Sequence, residues 1–227
     1  MDADGLTALV ETRLAEVADP TKAVSMAAYM KTDMPFHGVQ KAGRVPILSE
    51  AVKRFPPSSR DDYRAAVLAL WAQPHREEKY IAVGYARSFP RFVTMSSIPI
   101  YRRLIVEGAW WDFVDEVAIH LVGNVLLHQR PAMTPKIEAW IDDPDLWLRR
   151  TAILAQIGHK EATDAGLLFD ACERRMAESE FFIRKAIGWA LRDYAKTDPD
   201  AVTAFVVDHR DGLSGLSYRE ATKHLNL

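Results

Sequence analysis

The sequence predicts an all-α fold, a HEAT-like helical-repeat solenoid forming a single domain over residues 1–227. Three observations carry this. Nearly every segment has helical periodicity, and no alternating run of β-branched residues is long enough for a central strand. The helices are joined by short connections. Pairs of them recur at about 35 to 40 residues, the scale of helical repeats. So many short helices with tight turns do not make a four-helix bundle. Stacked pairs bury their apolar faces most economically, and a right-handed stack of this kind curves to leave a concave face for an extended ligand. A compact irregular all-α domain is the alternative.

Helices are expected near 4–17, 20–31, 44–55, 59–73, 75–88, 97–108, 110–128, 133–142, 144–159, 163–178, 180–196, 199–209 and 217–225. Asp19-Pro20, Ser58-Ser59, Asp143-Pro144 and Thr197-Asp198 supply start signals, since their side-chain oxygens can accept from the free N–H groups of a first turn. Pro35, Pro56, Pro90, Pro131 and Pro135 fall in or near the gaps. Pro46 and Pro99 are expected near helix starts, where a missing N–H does least harm. Ser88 to Phe92 reads as a turn with core aromatics.

Composition narrows the class. The chain is 48% hydrophobic and 26% charged, enough apolar material for a sizeable core and too much for disorder. Apolar runs such as Ala65–Ala72 are too short to span a bilayer. The acidic start, MDADGLTALVE, is unlike a secretory signal. The single Cys172 cannot form an internal disulfide, which points to a reducing cytosol, and it reads as a half-buried small residue. Net charge is -2, so any nucleic-acid site must be a local patch.

Three helices place unusual residues. In 180–196, Ile183, Ile187, Ala190 and Tyr194 form a core stripe, while Lys185, Trp189, Arg192 and Lys196 form another almost opposite. The second stripe is either a solvated basic face with a tryptophan under its neighbours' stems or a nucleic-acid contact, cations on phosphates and the ring on a base or sugar. In 109–128, Trp110, Val117, Leu121 and Val125 lie on one side, Trp111, Asp115, Ile119 and Val122 on the other. Trp111 and Asp115 are helical neighbours. Asp115 either complements the helix dipole or, beside an electron-rich ring, stabilises a positive charge. In 145–160, Arg150 stands among Leu146, Ile153, Leu154 and Ile157. It needs a partner, either a buried acid or a phosphate or carboxylate held in bidentate fashion.

Other chemistries are weak. The seven histidines are scattered without an HExxH or a Cys/His pair, which makes zinc unlikely, and no Walker, GxGxxG or GxSxG motif is present.

The segments YMK and PFHGVQ within 29–40, ALW at 69–71, AWWDFVDEV at 109–117, WLRRTAIL at 147–154, FFIRKAIGWALRDYAKTDPDAV at 181–202 and SYREATKHL at 217–225 together resemble the DNA alkylation repair proteins of the AlkD-like glycosylase family. The order of six blocks across most of the chain makes the match specific. The resemblance implies a HEAT-like solenoid with a concave DNA-binding surface. The implied activity is that of a monofunctional glycosylase removing N3- and N7-alkylpurines from duplex DNA without flipping the base. It places the catalytic carboxylate on Asp115, aromatic contacts on Tyr29, Trp111 and Trp189, and DNA-backbone arginines on Arg150 and Arg192. Trp111 and Trp189 join Asp115 in the catalytic set; Tyr29, Gln40, Arg150, Lys185 and Arg192 form the DNA-binding set. No metal or cofactor is implied, and the expected state is a cytoplasmic monomer with no membrane contact. On this reading Arg150→Ala weakens binding to plain and alkylated duplex alike, and Asp115→Asn leaves folding little changed. A non-catalytic HEAT scaffold binding DNA or protein is the competing reading. It has no need of Trp111, Asp115, Arg150 and Trp189 together, so their convergence on one surface separates the two.

Overall fold

A computed structural model describes every residue except Asn226. The described residues contain helices and no strand, in agreement with the expected all-α helical-repeat class. They pack as two compact units, Met1–Val93 and Thr94–Leu227. No helix of the described residues is long and apolar enough to cross a membrane.

The first unit holds α1 (Ala3–Glu16), α2 (Pro20–Met30), α3 (Lys41–Arg54), α4 (Arg60–Trp71) and α5 (Arg76–Arg87). Leu6, Val10 and Leu14 recur every fourth residue, so α1 buries one stripe completely. That stripe belongs to the face α1 turns to α3 and α4. Tyr63, Val67 and Leu70 of α4 and Ile81 and Tyr85 of α5 complete the core. The Tyr85 hydroxyl donates to the Phe55 carbonyl at 2.6 Å, which makes its burial tolerable. By contrast α2 buries only Met30 and leaves Val24 and Tyr29 exposed. Asp19 caps α2 by accepting from Thr21 and Lys22, and Ser59 forms a capping box with Asp62 on α4, as their positions before the helical runs predict. Residues 90–92 form a short 3-10 turn, and its Phe92 ring tilts against Tyr63 at 5.3 Å.

The second unit runs through α6 (Ile98–Gly108), α7 (Trp111–Val117), α8 (Gly123–His128), α9 (Arg130–Ile141), α10 (Leu146–Leu154), α11 (Ala165–Arg175), α12 (Phe181–Tyr194), α13 (Pro199–Asp208) and α14 (Gly215–Ala221). From α8 to α14 most helices touch the next in sequence, and α9 meets α11, α10 meets α12, and α12 meets α14. Contact with both the next helix and the next but one is the signature of stacked helix pairs.

Several boundaries depart from the sequence reading. Pro46 and Pro135 lie inside α3 and α9, not near a start or in a gap. Each frees the carbonyl four residues earlier, on Ala42 and Pro131, but all four residues are exposed, so water can accept the role of the missing N–H. The start of α10 is capped by Asp145, which accepts from Trp147 and Leu148, whereas Asp143 accepts from the Asp145 N–H one turn before. That helix ends at Leu154, short of residue 159: the Ile157 and His159 N–H groups turn to carbonyls three residues back, and Gly158, at φ +83°, carries the chain out of the turn. The 110–128 run is one helical path interrupted by a π-turn at Ala118–Val122, which shifts the faces of α8 relative to α7. Cys172 is fully buried, and burial alone pushes its thiol pKa well up, so it behaves as a small core residue.

Candidate functional site

The second unit brings three of the unusual helices together. Trp111 of α7, Arg150 of α10, and Phe181, Phe182, Lys185, Trp189 and Arg192 of α12 line one cavity of about 280 Å³, closed at one edge by Glu220 of α14. Thus five of the residues singled out in the sequence share a single surface.

Asp115 lies one helical turn after Trp111 and is joined to the cavity wall through Arg150. Arg150 Nε and Nη2 donate to Oδ1 and Oδ2 of Asp115, each at 2.8 Å. Arg150 Nη1 donates to the Phe182 carbonyl. The buried acid, one of the two partners the sequence leaves open, is therefore the one Arg150 finds. A guanidinium has five N–H groups, so two remain for any phosphate. The side chains of Arg150 and Asp115 keep only 5% and 13% exposure. Burial pushes the Asp115 carboxyl above its usual range; the Arg150 bonds and charge oppose this, and Asp112 and Glu116 add to it. Two accepting oxygens on one guanidinium is nevertheless the geometry of the ionised form. Each oxygen retains a second lone-pair direction, and the exposed fraction of the side chain leaves room for a water.

Because of this pair, the expectation that Asp115→Asn leaves folding unaffected does not survive. An amide would present a donor to one of the two arginine nitrogens. Asp115 lies beyond the first turn of α7, so the arginine rather than the helix N-terminus is its favourable partner.

The stripe on α12 is likewise not a free basic face. Glu220 accepts from Lys185 Nζ at 2.7 Å and from Arg192, and Lys196 pairs with Asp193 at 2.8 Å. The Lys185 hydrogen bond, followed by the charges of Lys185 and Arg192, holds the Glu220 carboxyl below its usual range against the effect of burial. The approach of α14 to α12 depends on Gly188: a Cβ there would stand 2.5 Å from the Glu220 Cβ and 2.9 Å from the Ser217 carbonyl oxygen. Nothing in the α12 sequence alone reveals Glu220, which comes from a segment 28 residues after Arg192.

Aromatic rings brace the cavity. Phe182 meets Trp110 at 5.4 Å and Trp147 at 5.0 Å, and Trp110 and Trp147 meet at 6.1 Å. Phe181, 57% exposed at the start of α12, stands at the cavity mouth. Phe181 and Phe182 were not assigned a role from sequence. A large apolar residue left exposed at a helix start was the available signal.

Tyr29 and Gln40 belong to the first unit. Tyr29 is 75% exposed, and both residues line a shallow depression of about 520 Å³ with Arg44 and Tyr80. The Arg44 guanidinium covers the Tyr80 ring at 4.3 Å.

No curated protein matches the chain. A solved structure, described as a predicted DNA alkylation repair enzyme from Enterococcus faecalis, is 29% identical with a TM-score of 0.84, over 92% of this chain and 97% of that one. The family model for DNA alkylation repair enzymes matches residues 10–225. This chain belongs to the DNA alkylation repair enzyme family.

Proposed function

We propose that this protein is a monofunctional DNA glycosylase that hydrolyses the N-glycosidic bond of N3- and N7-alkylated purines in duplex DNA. The observation that carries the reading is one cavity lined by Trp111, Arg150, Lys185, Trp189 and Arg192, with the Asp115 carboxylate, not itself in the lining, tied to its wall by Arg150.

Alkylation at N3 or N7 makes the purine cationic, so the leaving group needs no general acid. As the C1′–N9 bond breaks, its electron pair neutralises the purine and positive charge builds on the sugar. A fixed carboxylate stabilises that oxocarbenium character and accepts a hydrogen bond from the water that attacks C1′. The water proton then leaves to solvent, giving a free alkylpurine and an abasic site. Trp111 and Trp189 supply ring faces for the cationic nucleoside, so the base need not be turned into a pocket. Lys185 and Arg192 are the phosphate contacts, with Tyr29 and Gln40 of the first unit as further DNA contacts. The chain is expected to act as a cytoplasmic monomer without a cofactor.

Incubation with methylated duplex DNA should release 7-methylguanine and 3-methyladenine. One observation favours a second reading, a non-catalytic DNA-binding protein: both Asp115 oxygens are already engaged by Arg150, as in a purely structural pair. Tight binding of methylated duplex with no base release would establish that reading.

Glu220 gives a separate test of the DNA face. Glu220→Gln removes the charge that holds Lys185 and Arg192 and frees both for phosphates. Affinity for plain duplex at low salt should rise roughly three- to tenfold, and the dependence on salt should steepen. Unchanged affinity and slope in a fluorescence-anisotropy titration would take these two cations out of the DNA contact.

A further inference from the structure

We infer that the first unit carries a site for a divalent transition metal, zinc by its donor set, built from His37, His75 and Glu78. His37 Nε2 stands 3.0 Å and His75 Nδ1 3.5 Å from the same Glu78 oxygen. All three donor groups place a ligand atom within 4.8 Å of the others. Ligand atoms at about 2.0 to 2.1 Å from a tetrahedral zinc stand roughly 3.4 Å apart, so the three are already near the edge lengths of such a site.

The surroundings are built rather than incidental. His75 occupies the N-cap position of α5 without capping it, and Glu78 follows in the first turn. A spacing of three residues puts both on one helix face. His37 arrives from the loop before α3, and the neighbouring Glu77 fixes that loop. Its buried carboxylate accepts from the backbone N–H groups of His37, Gly38 and Val39 at 3.0, 2.9 and 2.9 Å. Gly38 adopts φ +83°, and a Cβ there would lie 1.9 Å from the Asp19 carbonyl oxygen, so the loop can follow this path only with glycine.

Glu77 and Glu78 are adjacent, both buried, and differently served. Glu77 has its three N–H donors. Glu78, with a side chain only 1% exposed, has the two histidines as its ion-pair partners. Its second oxygen and the Nδ1 of His75 are buried without a hydrogen-bond partner. A buried carboxylate with an orphaned oxygen is costly to keep. A divalent cation supplies positive charge there and engages the orphaned donor atoms. Two imidazole nitrogens and one carboxylate oxygen, with a position left for water, form a known zinc donor set. The His37 and His75 rings stack with centroids 3.8 Å apart, and His75, 31% exposed at the rim, has the freedom to turn its Nδ1 to the metal. The chain separates His37 from His75 by 38 positions, so no compact metal-binding motif marks the site in the sequence.

The test is a cobalt(II) titration of the full chain after treatment with chelator, followed by visible d–d absorption, with zinc as competitor. One equivalent of cobalt should bind saturably and be displaced by zinc. His75→Ala and Glu78→Gln should each weaken binding at least about tenfold while circular dichroism remains helical. His75 is at the rim, so that variant carries the test even if Glu78→Gln fails to fold. Failure of the parent to take up cobalt, or unchanged uptake by folded His75→Ala, would overturn the assignment. Base release plays no part in this readout.

Discussion

If the proposed glycosylase reading holds, an Asp115→Asn protein is expected to excise 7-methylguanine about a hundredfold or more slowly than the parent in single-turnover assays at saturating protein. That is the scale of losing one preorganised electrostatic group aimed at a developing charge. The substitution keeps the shape and removes the charge that, on the proposed mechanism, stabilises the sugar. Residual release reflects the lability of the cationic nucleoside itself. Stability falls as well. In the native protein Arg150 donates to both oxygens of Asp115. The asparagine amide turns one of those contacts into donor facing donor and leaves a nearly buried guanidinium without its counter-charge. A loss of about 2 to 4 kcal/mol is expected from denaturant unfolding. Rates must therefore be compared at a temperature where circular dichroism shows both proteins folded. The parent's pH profile supplies an independent check. Protonation removes the carboxylate, and burial places that event above the usual carboxyl range. Excision by the parent should thus decline with acidity beginning at a higher pH than for an exposed aspartate, and the Asn variant should lack this limb. A folded Asp115→Asn protein that excises at the parent's rate would make the pair with Arg150 the whole role of Asp115.

Helices were legible because their signals are local. Leu6, Val10 and Leu14 recur at helical spacing, and Asp19, Ser59 and Asp198 stand immediately before the helices they cap. Errors arose where local signals compete. Asp143-Pro144 looks like a start, but Asp145 has the capping geometry and Asp143 serves the turn before it. Pro46 argues against a helix interior, yet its exposed position lets water replace the lost bond.

The site was legible as a set of residues on improbable faces, and less so as a set of pairs. An arginine in an apolar stripe announces that it has a partner. Which partner depends on a contact between α7 and α10, 35 positions apart, that no local pattern encodes. The same holds for Glu220. Helical spacing shows Lys185, Trp189 and Arg192 on one face, but the carboxylate that holds the two cations reaches them only because Gly188 admits α14 against α12. Periodicity thus reports which way a side chain faces. What it meets there is a property of the packing.

Arg150→Ala is expected to act first on stability. It leaves Asp115 nearly buried and without its guanidinium, a situation that costs about 3 to 5 kcal/mol. This shifts the expectation drawn from sequence, in which Arg150 is a phosphate contact whose loss weakens plain and alkylated duplex alike. Three of its five N–H groups are bound to Asp115 and the Phe182 carbonyl, so positioning the carboxylate is the larger task. Excision should fall at least about tenfold, because an unclamped carboxylate loses its fixed orientation toward the sugar. Binding of plain duplex at low salt should weaken by less than about threefold, the contribution of the two remaining N–H groups at most. Arg150→Lys keeps the charge but not the fork and should recover more stability than excision. A double-mutant cycle in urea closes the test. If the pair is coupled, Arg150→Ala with Asp115→Ala costs less than the two single changes added together, because neither charge is then stranded. Additive costs would show the two side chains to be independent. A large, equal loss of affinity for plain and alkylated duplex in a folded Arg150→Ala protein would return Arg150 to the phosphates.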